Sequence, residues 1–207
     1  RKNKERCNNL NNLICWIMSA NQQILLGKAQ SSGINYATWN PSDLWVWMVL
    51  SGWNLTITNW WVWRSGRSTI WVSSWKWYWE YKVTGAGWWN VLQWVWRITA
   101  ATSNYVGIDP DWWWLYSANN KVNNNSFVLY WGATLATNDV ISILLDVTNW
   151  TLEFWRNGST LWVAYASWVT GTIYAMMGLT WSAAVANFWA TAFVYSVPSW
   201  YNAWLYS

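Results

Sequence analysis

The chain has 207 residues, a formal net charge of +4 and no histidine, and this length supports one domain with a core of ordinary size. Charged residues are only 10% of the chain, against about 25% in a typical domain, and residues 1–6 carry +3 of the net charge. The remainder is close to neutral, which excludes the broad basic surface of a nucleic-acid-binding domain. No apolar run reaches the roughly 18 residues of a membrane span, so membrane insertion is not expected.

Residues 1–37 differ in sequence pattern from the rest of the chain, and we expect them to form an N-terminal arm or the end of a preceding segment. The apolar spacing over residues 10–18 predicts a short amphipathic helix. Cys7 and Cys15 both lie in this arm. They could form a disulfide with each other, but it would not cross-link the core of the domain. The main domain is expected to cover residues 38–207.

From residue 38 onward, short β-favouring segments alternate with turn residues. Asn40–Asp43 is predicted to be a turn. Strands are predicted over residues 45–50, 54–58, 67–72, 76–84, 91–99, 127–130, 140–147, 151–156, 160–165, 173–179, 183–188 and 193–195, with shorter ones near Leu115 and Val122. The strongest local signal is Asn157-Gly158, because a type I′ hairpin turn needs φ > 0 at both central residues. The pattern predicts an all-β fold, namely an antiparallel two-sheet β-sandwich or jelly roll.

Several segments, in order and with sensible spacing, resemble a SPRY domain, particularly the version found in bacteriophage structural proteins. They are KWYWE at 76–80, YWGATLATNDVISILL at 130–145, TLEFWRNG at 151–158, ANF at 186–188 and FVYSVP at 193–198, with TWNPSD at 38–43 as the opening. The resemblance covers about residues 38–207. It implies a bent concanavalin-like sandwich that binds through its end loops and does not catalyse a reaction.

The chain departs from that family where the family usually has glycine, because many of these positions are tryptophan here. Tryptophan accounts for 28 residues and glycine for only 11. The positions are Trp45, Trp47, Trp53, Trp71, Trp75, Trp96, Trp112, Trp114, Trp150, Trp162, Trp189, Trp200 and Trp204. If about ten of them need left-handed backbone, at about 1–2 kcal/mol each, the cost is comparable with a domain's total stability of about 5–15 kcal/mol.

We therefore hypothesise that many of these tryptophans stand where the protein has glycine, through an error of sequencing or translation. The alternative is a real tryptophan-rich surface that stacks on sugars or contacts protein.

The residues needed for common catalytic chemistry are scarce. Without histidine, the commonest general base and metal ligand are missing, and no glycine-rich phosphate loop precedes a helix. The acids form no closely spaced strand motif of the kind that paired-carboxylate glycoside hydrolysis uses, and Glu153 is expected to face solvent or to pair with a cross-strand base. For Asp109-Pro110-Asp111 we prefer ordinary Asx-turn chemistry to calcium binding. No catalytic residue, metal or cofactor is predicted.

The polar stretch 104–125 is the best candidate for recognition, since binding residues collect on loops held by a rigid sheet. Its candidate binding residues are Tyr105, Asp109, Asp111, Trp113, Tyr116 and Asn123. The rings of Trp113 and Tyr116 could stack on a sugar or fill a partner's pocket, while Trp113 could equally belong to the core.

The first functional hypothesis is a non-enzymatic binding or structural module of a phage-like virion, in a tail fibre, baseplate or capsid decoration. Residues 1–37 would contact other virion proteins, and the sandwich at the particle surface or tail would contact a host-surface glycan or protein or neighbouring subunits, with a homo-oligomer as an option. The alternatives are a cytoplasmic SPRY-type adaptor that binds a peptide and a carbohydrate-active enzyme.

Overall fold

The computed structural model describes residues 35–44, 46–61, 64–85, 91–97, 110–116, 118–130 and 134–203. Across these ranges the regular elements are β-strands, and none of the described residues is helical, so there is no helix there that could cross a membrane. The strands are β1 (Trp39–Leu44), β2 (Met48–Ser51), β3 (Thr56–Asn59), β4 (Arg64–Val72), β5 (Lys76–Gly85), β6 (Val91–Arg97), β7 (Trp112–Tyr116), β8 (Asn120–Asn123), β9 (Ser126–Leu129), β10 (Val140–Asp146), β11 (Thr151–Arg156), β12 (Ser159–Tyr165), β13 (Ile173–Leu179), β14 (Ser182–Asn187) and β15 (Asn202–Ala203).

These strands form two sheets that enclose one apolar core. The first sheet has the order β1-β4-β13-β6-β7-β8-β9, and the second has the order β12-β11-β10-β5-β14-β3-β2. Neighbours along both orders are antiparallel, while the short β15 pairs with β5 in parallel. Both sheets contribute to the core, for example through Trp39, Ile57, Ile143, Phe154 and Met177. The predicted all-β antiparallel sandwich is confirmed.

The three-stranded meander of β10, β11 and β12 forms as predicted. Asn157 and Gly158 have φ of 50° and 79°, and Arg156 pairs with Ser159 across the two-residue turn. The Asn157 side chain also accepts a hydrogen bond from the Val140 amide at 2.9 Å. Local turn chemistry and a side-chain bond to the preceding strand therefore fix the register of this hairpin together.

Strand β5 is buried on both faces, although its alternating sequence predicted one apolar face and one polar face. Trp79 and Tyr81 point into the core as expected, but Tyr78 on the opposite face is also fully buried. The Phe193 ring packs against Tyr78 with a centroid distance of 4.9 Å. The irregular segment around residue 193, which was predicted to be a strand, therefore covers the second face of β5.

The prediction of a turn at Asn40–Asp43 is wrong, because these residues lie within β1. Trp39 pairs with Ser68 and Leu44 with Gly66, so β1 contains extra residues relative to its partner and is bulged. The local turn chemistry is nevertheless present, since the Asn40 side chain accepts a hydrogen bond from the Ser42 amide at 3.0 Å. An edge strand such as β1 tolerates both the bulge and a proline.

Nine of the described tryptophans have positive φ, between 49° and 80°. They are Trp47, Trp53, Trp75, Trp150, Trp162, Trp168, Trp181, Trp189 and Trp200. Seven belong to the set where glycine was expected, while Trp168 and Trp181 were not in that set. Its other members Trp71, Trp96, Trp112 and Trp114 lie in regular strands, and Trp45 and Trp204 lie outside the described residues. Residues 1–34, which include most of the predicted arm 1–37, the predicted helix and both cysteines, also lie outside them.

Candidate functional site

A cleft of about 550 Å³ lies between strands β6, β7 and β8 of the first sheet and the end of edge strand β12 in the second. This volume is within the range of roughly 300–1,000 Å³ that ligand sites occupy. Among its lining residues are Arg97, Asp111, Trp113, Lys121, Asn123, Tyr165 and Trp168. Most of these side chains are carried by strands, so the cleft walls are held by the sheet ladders.

Arg97 at the end of β6 ties the two sides of the cleft together. Its Nη1 donates to Asp111 Oδ1 at 2.6 Å, and its Nε donates to the Thr170 carbonyl at 2.9 Å. Its Nη2 donates to the Trp168 carbonyl at 3.2 Å, and the guanidinium carbon lies 5.3 Å from the centroid of the Trp113 ring. The charge of Arg97 is therefore balanced by Asp111, and its planar group fixes the segment that follows β12.

Lys121 on β8 supplies the second positive charge in the cleft. Its Nζ lies 2.5 Å from the Ala164 carbonyl, and 5.5 Å and 5.8 Å from the ring centroids of Tyr165 and Tyr130. None of the ion pairs formed by the described residues involves Lys121. The cleft therefore carries one cation that a carboxylate of the described chain does not neutralise.

The Tyr165 ring beside Lys121 is uncharged and is hydrogen-bonded to the first sheet. Burial raises the pKa of the Tyr165 hydroxyl well above its ordinary value, and this hydroxyl donates to the Val122 carbonyl at 2.8 Å or to the Trp114 carbonyl at 3.1 Å. Trp113 is only 2% exposed and belongs to the core cluster as well as to the cleft lining. The structure therefore supports the core interpretation of Trp113, while its role in recognition stays a prediction.

The structure brings three of the six predicted binding residues together. Asp111, Trp113 and Asn123 all line the cleft, where the Asn123 amide donates to the Trp112 carbonyl at 2.7 Å and to the Pro110 carbonyl at 2.8 Å. Tyr116 is not among the lining residues and packs against Phe127, with ring centroids 5.9 Å apart.

The other two predicted residues, Tyr105 and Asp109, lie outside the described residues. Much of the predicted loop 104–125 is in fact strand, because β7 and β8 both fall within it, close to Leu115 and Val122 as expected.

The sequence analysis missed eight lining residues, among them Arg97, Lys121, Tyr165 and Trp168. An isolated base at the end of the apolar strand VLQWVWR was the one available signal for Arg97. Their convergence depends on strand pairings between distant segments, which no local pattern reports.

The other acids that the structure describes form no group that could hold a metal ion. The Glu153 carboxylate accepts hydrogen bonds from Trp155 Nε1 and Thr160 Oγ1, both at 2.6 Å, so the predicted cross-strand base is replaced by two neutral donors. Among the described residues there is no group of three or more His, Cys, Asp or Glu side chains that could hold a metal ion.

The two antiparallel sheets around one core make this chain a β-sandwich protein, with a cleft beside the edge strand β12. The family model for the SPRY domain matches residues 76–190, more than half of the chain, and the chain belongs to this family. No curated protein matches the sequence.

Solved structures with the same fold include the SPRY domain of human HERC1, which has a TM-score of 0.62, 15% identity and coverage of 72% of this chain and 96% of that one. The TRIM65 PSpry domain gives a TM-score of 0.59, 12% identity and coverage of 73% and 89%. Stonustoxin gives a TM-score of 0.56 and 16% identity, and the match covers 73% of this chain and 27% of the toxin chain. At these identities the likeness concerns the fold alone.

Proposed function

We propose that this SPRY domain is a non-enzymatic protein-binding module that takes an acidic segment of its partner into the cleft. SPRY domains are generally protein-interaction modules, which fits this assignment. The observation that carries the proposal is the position of Lys121, a cation among the aromatic rings of Tyr130 and Tyr165 in a concave site.

The charge arrangement favours an anionic ligand. Arg97 is neutralised by Asp111, so the charge of Lys121 is left to attract a carboxylate, and it is partly shielded from water by the two rings. The half-buried ring of Tyr165 offers apolar surface to the neighbouring side chains of the bound segment. A short acidic peptide with an aromatic or aliphatic neighbour would match both features.

Peptide binding to the purified chain tests this proposal. Fluorescence anisotropy would compare acidic, neutral and basic peptides of equal length, and the acidic set should bind most tightly, with an affinity that falls as salt rises. Lys121→Gln should weaken acidic-peptide binding by about tenfold, which corresponds to about 1.4 kcal/mol. Lys82→Gln is the matched control, because Lys82 is exposed on β5 and does not line the cleft. Equal affinities for both variants would refute the proposed site.

We further propose that the protein acts in a phage-like virion, in a tail fibre, baseplate or capsid decoration. The support is the sequence resemblance of KWYWE, TLEFWRNG and FVYSVP to the bacteriophage type of SPRY domain. In this proposal residues 1–37 anchor the domain to other virion proteins, and the sandwich contacts a host-surface protein or glycan or a neighbouring subunit. Mass spectrometry of purified particles should detect the chain in fixed stoichiometry. Its presence only in the cytosol of infected cells would contradict this placement.

The second candidate is an intracellular adaptor that binds a peptide. It is favoured by the fold shared with the HERC1 and TRIM65 domains. The two candidates differ in the source of the partner, because an adaptor should capture a cytoplasmic protein through the cleft, while a virion module should remain in the particle after nuclease and salt washes.

A further inference from the structure

Tryptophan occurs unusually often at backbone positions with positive φ. Among the described residues other than glycine, those with positive φ are of only two types, nine tryptophans and six asparagines. Asparagine is several-fold enriched in the left-handed region, because its short polar side chain can bond to nearby backbone. Tryptophan has no such property, so its presence at these positions needs a separate cause.

The nine positions include sites where glycine has a known backbone role. Trp53 lies in the turn between β2 and β3, directly between Gly52 with φ of 55° and Asn54 with φ of 60°. Trp150 ends the turn between β10 and β11, and Trp181 lies in the two-residue connection between β13 and β14. Tight turns with φ > 0 are the setting in which glycine is the default residue.

Trp162 lies at a bulge in β12, which is the clearest case. Glu153 pairs with Val163 and Trp155 pairs with Thr160, so two residues of β12 stand opposite one residue of β11. Trp162 has φ of 70°. A common bulge of this kind places a glycine in the left-handed region.

The nine indole rings also lie at the surface, as do those of Trp60, Trp61 and Trp71, which do not have positive φ. All nine residues are exposed, from 44% at Trp189 to 88% at Trp200. In contrast, Trp39 is fully buried and its Nε1 donates to the Leu55 carbonyl at 2.9 Å, and Trp155 Nε1 donates to Glu153 at 2.6 Å. Neither of these two has positive φ. Removing the nine rings would therefore leave no cavity in the core.

We propose that the protein, as its own host makes it, carries glycine at these nine positions because the gene encodes them by UGA. Some genetic codes read UGA as tryptophan and others read it as glycine, so one codon exchanges this single pair of amino acids throughout a chain. Tryptophans that are specified by their contacts, such as Trp39, Trp79 and Trp155, are encoded by UGG.

The proposal changes the functional surface of the domain. The exposed aromatic rings at the nine positions are then not a surface for stacking on sugars or contacting protein. The cleft is also affected, because Trp168 has φ of 75° and belongs to its lining. With glycine at residue 168 the cleft is wider, while the carbonyl that accepts the Arg97 hydrogen bond is retained.

The gene and the natural protein provide the direct test. The codons at the nine positions should be UGA and those at Trp39, Trp79 and Trp155 should be UGG. Peptides from the protein purified from its natural source should each be lighter by more than a hundred daltons per site at the nine positions, and unchanged at the other three. UGG codons or tryptophan masses at the nine positions would overturn the proposal.

A second test needs only the recombinant chain and separates backbone conformation from loss of the ring. At residue 162, W162G should melt at a higher temperature than W162A, since both remove the indole and only glycine is free of strain at positive φ. At residue 155, on the neighbouring strand, W155A should melt higher than W155G, because glycine weakens an ordinary strand. The same order of glycine and alanine at both residues would overturn the proposal.

Discussion

Glu80 and Tyr195, which are 115 residues apart in the chain, are joined by a hydrogen bond of 2.8 Å from the Tyr195 amide to Glu80 Oε1. The other carboxylate oxygen accepts a hydrogen bond from the Val194 amide at 2.7 Å, and the Tyr78 hydroxyl donates to Oε1 at 2.8 Å. Glu80 is 2% exposed. One buried carboxylate therefore satisfies two main-chain amides of an irregular segment and holds that segment against β5.

The variant Glu80→Gln should destabilise the domain by about 1–3 kcal/mol, because a buried amide of the 194–195 segment then faces an NH₂ donor in place of an oxygen. Urea unfolding gives this difference, and hydrogen exchange should show the largest loss of protection at Val194 and Tyr195. Glu153→Gln is the control, since Glu153 accepts its hydrogen bonds from the side chains of Trp155 and Thr160. Unchanged protection at the two amides in Glu80→Gln would disprove the role of this carboxylate.

Stability should fall on acidification through Asp139. Burial alone would raise the pKa of Asp139, but hydrogen bonds from the Ala136 amide, Asn157 and Arg156, with the charge of Arg156, lower it overall below its ordinary value of 3.8. A lowered pKa in the folded state gives stability that is complete above the ordinary pKa and is lost as pH falls through the folded pKa. The free energy of unfolding should therefore be level near neutral pH and should decrease below about pH 5.

The variant D139N isolates this effect. It should be less stable than the parent at pH 7 and should lose less stability between pH 5 and pH 2, as measured by thermal melts across a pH series. Asp146 also has a lowered pKa, because the effects of Lys76 and Asn149, which lower it, outweigh that of burial, which raises it. Since Asp146 still titrates in D139N, the stability of this variant should fall less steeply in acid than that of the parent, but should still fall. An acid limb identical to that of the parent would contradict the assignment to Asp139.

Replacing Gly158 by alanine should weaken the hairpin of β11 and β12. Its φ of +79° is strained for a residue with a Cβ, which costs about 1–2 kcal/mol, and the added Cβ would lie 2.7 Å from Tyr195 Cδ1. The melting temperature should fall, and Tyr195 should become more exposed. Gly85→Ala is the matched control, because its Cβ would meet nothing nearer than the Ala183 nitrogen at 3.6 Å. A fall of equal size in both variants would argue against this account of Gly158.

Lysine in place of Arg97 should loosen the segment after β12 and leave the rest of the sandwich in place. An ammonium cannot reproduce the planar donor geometry that reaches Asp111, Trp168 and Thr170 together. Hydrogen exchange should accelerate at residues 168–170, and stability should fall by about 1–3 kcal/mol. Arg67→Lys, which alters the ion pair between Arg67 on β4 and Asp43 on β1, should leave exchange at 168–170 unchanged. Parent-like exchange in Arg97→Lys would show that Arg97 does not hold the segment after β12 in place.

The elements that the sequence predicted well are those whose conformation is encoded locally. Asn157-Gly158 can form one kind of tight turn with little strain, and the alternating strand of KWYWE needs only its own periodicity. The turn predicted at Asn40–Asp43 failed because its Asx bond is compatible with a bulged edge strand. Burial of Tyr78 and Glu80 could not be predicted, since it depends on a segment more than one hundred residues later.

The candidate cleft shows the same division. Asp111, Trp113 and Asn123 were found because they lie in one polar stretch of sequence, whereas Arg97 and Trp168 enter from strands and turns on either side of it. Tyr116 was included by proximity in the sequence, but it lies at the far end of β7 from Trp112 and packs against Phe127. Which of the candidate residues lie close together in space depends on long-range strand pairing, and the local sequence does not show this.

The bulge at Trp162 has a consequence for self-association. Strand β12 is the outer strand of the second sheet, and a bulged edge presents an interrupted row of amides and carbonyls to any approaching strand. Strand β9, at the outer edge of the first sheet, pairs in regular register with β8 and is exposed at all four residues. The β12 and β9 edges are thus unequal, and the bulge disfavours the addition of strands from other copies into a growing fibril at the β12 edge.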